Sequence, residues 1–119
     1  MANIMIADDS DAIRLVLKDI LGIGNHTVVA EATDGEEAVD LFFKNSPDLL
    51  LLDLAMPKKD GLTVLKEIIE KNSEAKVVLI TASDDQKIIN QCLEIGATSC
   101  ISKPFDFNSV LKQINDILG

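Results

Sequence analysis

Two short runs of this chain, residues 49–52 and 77–80, are apolar at every position. A strand of that kind has no polar face, so it has to be covered on both sides. The second run extends to residue 82, and three more apolar runs occupy Asn3–Ala7, Thr27–Ala32 and Ser99–Ser102. The chain therefore predicts five strands, with the most apolar ones buried between two layers of helices.

Segments with apolar residues at helical spacing follow each of these runs. Their stripes include Val16 in the first segment and Ile88 and Leu93 in the fourth. Repeated alternation of strand and helix builds a parallel sheet with right-handed crossovers. We expect one α/β domain over residues 1–119, with a flavodoxin-like doubly wound (βα)5 fold. Its five-stranded parallel sheet would have the order 2-1-3-4-5, with helices on both faces.

Helix start and stop signals agree with these boundaries. Asp34 with Glu37, and Ser83 with Gln86, have the spacing of a capping box. Pro47 should end the second helix, because the residue before a proline disfavours helical geometry. The glycines expected to supply left-handed residues after helices are Gly22, Gly24 and Gly96.

Composition narrows the classes of partner. A net charge of -9 repels phosphate backbones and anionic membranes, and the chain has no Trp or Tyr to stack on bases. We therefore expect neither direct nucleic-acid binding nor membrane insertion. Cys92 and Cys100 are too few for a disulfide scaffold and form no metal-type cluster, so we interpret both as reduced thiols. With no signal-peptide pattern at the N-terminus, these features predict a cytoplasmic protein.

Polar residues stand where four of the five predicted strands end. Asp8 and Asp9 end the first, Asp53 follows the third, Thr81 lies at the end of the fourth, and Lys103 follows the fifth. In open parallel sheets these ends meet at one edge, which is where ligands bind. Two carboxylates about 4 Å apart repel by roughly 4 kcal/mol at an effective dielectric near 20. Lys103 offsets part of that repulsion, and a bound divalent cation, with Mg²⁺ favoured by hard oxygen ligands, would offset more.

The chain resembles response regulator receiver domains, in particular the chemotaxis-type (CheY-like) single-domain kind. The resemblance covers essentially the whole chain, and it depends on several motifs in the right order rather than on any one of them. These motifs are Asp8-Asp9, the Asp-Leu-Ala-Met-Pro sequence of 53–57 leading to Asp60-Gly61, Thr81-Ala82, Gly96-Ala97 and Lys103-Pro104-Phe105.

The resemblance implies a role for each residue of this edge. Asp53 would accept a phosphoryl group from a sensor histidine kinase. Mg²⁺ would be bound by Asp9, by Asp8 through water, by Asp53 and by the backbone carbonyl of Ala55. Lys103 would contact a phosphoryl oxygen, as would the Thr81 hydroxyl once Asp53 is modified.

The resemblance also implies an output. A cis peptide bond between Lys103 and Pro104 would aim the lysine inward. Thr81 would move on phosphorylation and remodel the face made by the fourth helix, fifth strand and fifth helix, where a downstream protein binds. The domain would be a phosphoacceptor rather than an enzyme, and a monomer or a weak phosphorylation-dependent dimer. Cys100 occupies the switch position where the family usually has Tyr or Phe, so the aromatic relay is absent.

Three alternatives stay open. A haloacid-dehalogenase-type phosphatase also uses an Asp nucleophile, but it usually has a second Asp two residues on, where this chain has Ala55. A flavin-binding module would need a phosphate cradle after the first strand, and Asp8 and Asp9 would repel phosphate there. The chain could also be the receiver part of a longer regulator with a DNA-binding domain.

Overall fold

The computed structural model describes residues 2–82 and 86–119, which form five strands and five helices in alternation. The strands are β1 (Asn3–Ala7), β2 (Thr27–Ala32), β3 (Leu49–Asp53), β4 (Val77–Thr81) and β5 (Ser99–Ser102). The helices are α1 (Asp11–Ile23), α2 (Gly35–Asn45), α3 (Gly61–Lys71), α4 (Gln86–Ile95) and α5 (Phe107–Leu118). No helix within the described ranges is both long enough and apolar enough to cross a membrane.

All five strands pair in parallel, in the order β2-β1-β3-β4-β5. This order confirms the flavodoxin-like doubly wound fold. The central strand β3 is buried at every residue, as is β4 next to it. The two runs without a polar face are therefore enclosed, as their sequences require.

Alternate residues of β3 enter two separate cores. Leu50 and Leu52 belong to the core beneath α2, α3 and α4, whereas Leu49 and Leu51 belong to the core beneath α1 and α5. Burying one such leucine contributes about 1.5–3 kcal/mol. Because a one-residue slip would exchange the two sets of side chains, this packing fixes the register that sets the height of Asp53 at the edge of the sheet.

The helical stripes are only partly buried. Val16 on α1 is 46% exposed, and Ile88 and Leu93 on α4 are 37% and 41% exposed. On α4 the buried residues are Ile89 and Cys92 instead. At these positions the apolar stripe is wider than the face with which each helix packs on the sheet.

Some of the predicted helix ends are confirmed and others were wrong. Asp34 caps α2 by accepting from the Glu37 N–H at 2.8 Å. The Ser83–Gln86 pair lies partly outside the described residues. Gly96 has a positive φ of 138°, but Gly24 has a φ of -81° and Asn25 (φ 62°) is the left-handed residue after α1. The third glycine of that prediction, Gly22, is inside α1.

Candidate functional site

Four strands end together at one edge of the sheet. The parallel register places Asp53 beside Ile80 and Thr81 beside Ser102. The strand ends border a cleft of about 590 Å³. The predicted site residues that line this cleft are Asp9, Asp53, Ala55, Thr81 and Lys103.

The three predicted acidic residues do come together. One carboxylate oxygen from each of Asp8, Asp9 and Asp53 lies within 4.8 Å of the other two. Asp8 and Asp53 are only 1% and 5% exposed, whereas Asp9 is exposed. Three anionic oxygens at this separation, two of them withdrawn from water, form a donor set that fits a hard divalent cation such as Mg²⁺.

Lys103 provides a positive charge at this cluster. Its Nζ lies 3.2 Å from Asp8 Oδ2 and 3.7 Å from Asp53 Oδ1. Its backbone N–H donates to the Thr81 carbonyl at 2.8 Å, which continues the pairing of β4 with β5 beyond the last strand residue. The peptide bond between Lys103 and Pro104 is cis. The lysine is therefore held at the cluster by its backbone and by its side chain.

The environment of Asp53 disfavours its charged form. Burial raises the pKa of this carboxyl, and the nearby negative charges of Asp8 and Asp9 raise it further. The Ala55 N–H, 3.3 Å from Asp53 Oδ1, and the ammonium of Lys103 act in the opposite direction. Net destabilisation of a buried carboxylate means that a cation bound here would gain binding energy from relieving it.

The segment after Asp53 depends on a glycine. Asp60 caps α3 by accepting from the Thr63 N–H at 2.9 Å, and the Gly61 N–H donates to the Leu54 carbonyl at 2.9 Å. A Cβ at Gly61 would lie 2.6 Å from the Asp53 carbonyl oxygen. A side chain at Gly61 would clash with the backbone of Asp53. The Asp60-Gly61 pair is therefore explained locally, by the helix cap that Asp60 provides and by the space that Gly61 leaves.

The two predicted switch residues lie at different depths. Thr81 is buried at the end of β4 and lines the cleft. Cys100 pairs with Leu79, two residues back from the edge, and packs half-buried against the core beneath α2, α3 and α4. The structure therefore places Thr81 in the cleft and Cys100 deeper in the sheet, outside the cleft lining.

Sequence reasoning missed one residue that contacts the backbone of the acidic cluster. Arg14 on α1 donates from Nη1 to the Asp8 carbonyl at 2.6 Å. Its position one turn beyond the helix cap Ser10 was the available signal, since side chains on a helix lean toward its N-terminus. Its contacts depend on the side-chain rotamer that Arg14 adopts in the folded protein, and residue spacing in the sequence does not specify that rotamer.

Comparison with known proteins shows the family to which this fold belongs. Residues 4–115 match the family model described as response regulator receiver domain. The chain is 39% identical over 117 residues to the chemotaxis protein CheY of Bacillus subtilis, covering 98% of each, and 36% identical over 119 residues to Protein CcdB of the same organism, covering 100% of this chain and 99% of that protein. A chain in the crystal structure of the CheX-CheY-BeF3-Mg²⁺ complex from Borrelia burgdorferi superposes with a TM-score of 0.95 at 34% identity, covering 98% of this chain and 89% of that one.

The fold and the acidic edge thus define a class, and the chain belongs to the response regulator receiver domain family. Within that family it is CheY-like, which confirms the resemblance drawn from its motifs. It is accordingly a signalling domain of two-component systems.

Proposed function

We propose that this receiver takes a phosphoryl group onto Asp53 from the phosphohistidine of a sensor histidine kinase. The observation that carries the proposal is the grouping of a buried Asp53 with Asp8, Asp9 and Lys103 at one edge of the sheet. Mg²⁺ would be held by the three carboxylates and by the backbone carbonyl of Ala55. When bound, the ion would screen the negative charge that builds up between carboxylate and phosphoryl group.

The chain's own residues have separate tasks in the transfer. A carboxylate oxygen of Asp53 forms a bond to phosphorus while the bond from phosphorus to the donor nitrogen breaks, which leaves an acyl phosphate on the chain and a neutral imidazole on the donor after it takes a proton. Lys103, already within 3.7 Å of Asp53, donates to a phosphoryl oxygen. The Ala55 N–H holds one carboxylate oxygen and so fixes the direction of attack.

The output we propose follows the fourth and fifth strands. The phosphoryl group would attract the Thr81 hydroxyl, and the face formed by α4, β5 and α5 would then bind a downstream protein in the cytoplasm, with the domain monomeric or weakly dimeric. Cys100 lies within that face and lacks a ring whose rotamer could report the change. We therefore expect Cys100→Tyr to leave phosphoryl uptake intact and to change the affinity of the phosphorylated domain for its target.

Incubation with acetyl phosphate and Mg²⁺, followed by intact-mass measurement, tests the proposal. The wild type should gain one phosphoryl group, and Asp53→Ala should gain none. Asp19→Ala, which removes an exposed carboxylate of α1, should behave like the wild type. An equal adduct on Asp53→Ala would disprove the assignment, and turnover of small phosphoesters would indicate the haloacid-dehalogenase-type phosphatase instead.

A further inference from the structure

Arg14 is connected to the acidic cluster from outside it. Its side chain is 11% exposed, and its Nη1 donates to the Asp8 carbonyl at 2.6 Å. Its Nε pairs with Glu31 Oε1 at 3.2 Å, and its Nη2 pairs with Asp11. The guanidinium thus has a backbone partner in the cluster and carboxylate partners on α1 and β2.

The carbonyl that Arg14 binds belongs to the peptide unit between Asp8 and Asp9. A peptide unit is planar, so holding its oxygen fixes the orientation of the whole plane. The other side of Asp8 is held as well, because its own N–H donates to the Ala32 carbonyl at 3.0 Å. The backbone on both sides of Asp8 is therefore constrained, by β2 on one side and by Arg14 on the other.

The orientation of the Asp8–Asp9 peptide plane sets the positions of the Asp8 and Asp9 carboxylates relative to each other. Asp8 is buried beside Lys103, whereas Asp9 is exposed, yet both reach the same cluster with Asp53. If the plane turned, Asp9 would move relative to Asp8 and the three oxygens would no longer converge.

Charge balance lets an arginine occupy this place. A cation beside a metal site would ordinarily repel the ion. Here the positive charge of Arg14 is paired with the carboxylates of Asp11 and Glu31. Glu31 also pairs with Lys18 at 3.2 Å. Arg14 can therefore hold the peptide unit while its field at the cluster is largely offset.

We propose that Arg14 is a positioning residue for the metal: it fixes the Asp8–Asp9 peptide plane so that both carboxylates converge with Asp53 on Mg²⁺. This inference rests on the proposed function. It differs from a purely structural role, in which Arg14 would only tie α1 to β2 and would affect stability without affecting Mg²⁺.

The test compares Arg14→Met with Lys18→Met. Lys18 is the other cation paired with Glu31, and within the described ranges its ion pair is with Glu31 rather than with Asp8. Mg²⁺ affinity is measured by calorimetry, and the rate of phosphorylation by acetyl phosphate is measured against Mg²⁺ concentration. Loss of a charged hydrogen bond predicts about tenfold weaker Mg²⁺ binding for Arg14→Met. Its rate at saturating Mg²⁺ should stay within about twofold of wild type, since uniform binding is what is lost. Lys18→Met should bind Mg²⁺ like the wild type.

Unchanged Mg²⁺ affinity in a folded Arg14→Met protein overturns the inference, and so does an equal loss in Lys18→Met. If Arg14→Met does not fold, Arg14→Lys decides, because lysine keeps the charge but cannot make three directed contacts; wild-type affinity in that variant overturns the inference. A wild type that binds Mg²⁺ but takes no phosphoryl group overturns the proposed function alone, since calorimetry still ranks the variants.

Discussion

Lys103 Nζ lies 3.2 Å from Asp8 Oδ2, although 95 positions separate the two residues in the chain. The same ammonium is 3.7 Å from Asp53 Oδ1. Among the described residues it is the cation paired with these two buried carboxylates, and Asp9 adds a third negative charge nearby. The cluster therefore has more negative charge than its own lysine offsets, which makes its electrostatics measurable without any partner protein.

Asp53→Asn should stabilise the metal-free domain. The substitution keeps the shape of the side chain and removes a charge that burial and Asp8 both disfavour. We expect the free energy of unfolding at neutral pH to rise by on the order of 1–2 kcal/mol, since Lys103 already offsets part of the repulsion. Urea denaturation in the presence of a chelator measures this change. Asp19→Asn is the control for net charge and should have an effect near zero; a loss of stability in Asp53→Asn would contradict the prediction.

The gain in stability from Asp53→Asn should depend on pH in a defined direction. Folding raises the pKa of Asp53 above its ordinary value of 3.8, so the folded chain binds a proton there more readily than the unfolded chain does. This proton binding stabilises the folded chain fully below the pKa of Asp53 in the unfolded chain. The stabilisation is lost as the pH rises through the pKa of Asp53 in the folded chain. The difference between wild type and Asp53→Asn should therefore be largest at neutral pH and shrink toward pH 3.8. Urea titrations of both proteins at a series of pH values, without divalent cations, give this difference directly, and a constant difference would argue against the raised pKa.

The edge of the sheet that carries the site could be predicted from the sequence, because the topology of a parallel sheet determines which residues lie there. In a parallel sheet all strands end on the same side, so residues that follow β1, β3, β4 and β5 have to meet. Asp8, Asp53, Thr81 and Lys103 needed only to be recognised as strand-end residues. Their chemistry then limited the ligands to cations and to groups that a cation can bridge.

Side-chain contacts could not be predicted in the same way. The stripe containing Val16 shows which residues share a face of α1, but not how much of that face the neighbouring elements cover, and Val16 is 46% exposed. Arg14 lies on the same helix, and its side chain contacts both the Asp8 carbonyl and Glu31 of β2, which are distant from each other in sequence. Such contacts follow from the packed structure rather than from spacing.

Gly61→Ala should disturb Asp53 through the backbone. The added Cβ would lie 2.6 Å from both the Asp53 carbonyl oxygen and Leu54 Cα, so α3 or the end of β3 has to move. Overpacking of this kind costs about 1–3 kcal/mol. We expect lower stability in urea together with slower uptake of phosphoryl groups from acetyl phosphate.

The chain offers a matched control for Gly61→Ala. Gly22 is also helical, but a Cβ there meets nothing within 4 Å. Gly22→Ala should therefore raise the free energy of unfolding by about 0.5–1 kcal/mol, the ordinary gain from replacing glycine in a helix. If both variants were stabilised, the close approach of α3 to the backbone of Asp53 would not be a real constraint.

The two thiols should react slowly in the folded protein. Burial raises the pKa of both Cys92 and Cys100 above the ordinary value of 9.0, so less thiolate is present at neutral pH than in the unfolded chain. Thiolate is the reactive form, and access adds a second barrier. Alkylation by iodoacetamide at pH 7 should be at least about tenfold slower than in urea, and it should accelerate toward pH 9.

Because Cys92 is fully buried and Cys100 is not, peptide mapping should find Cys100 modified first, and a Cys100→Ser variant should stay nearly unmodified until urea is added. Equal rates in the folded and unfolded protein would show that neither thiol is protected by the fold.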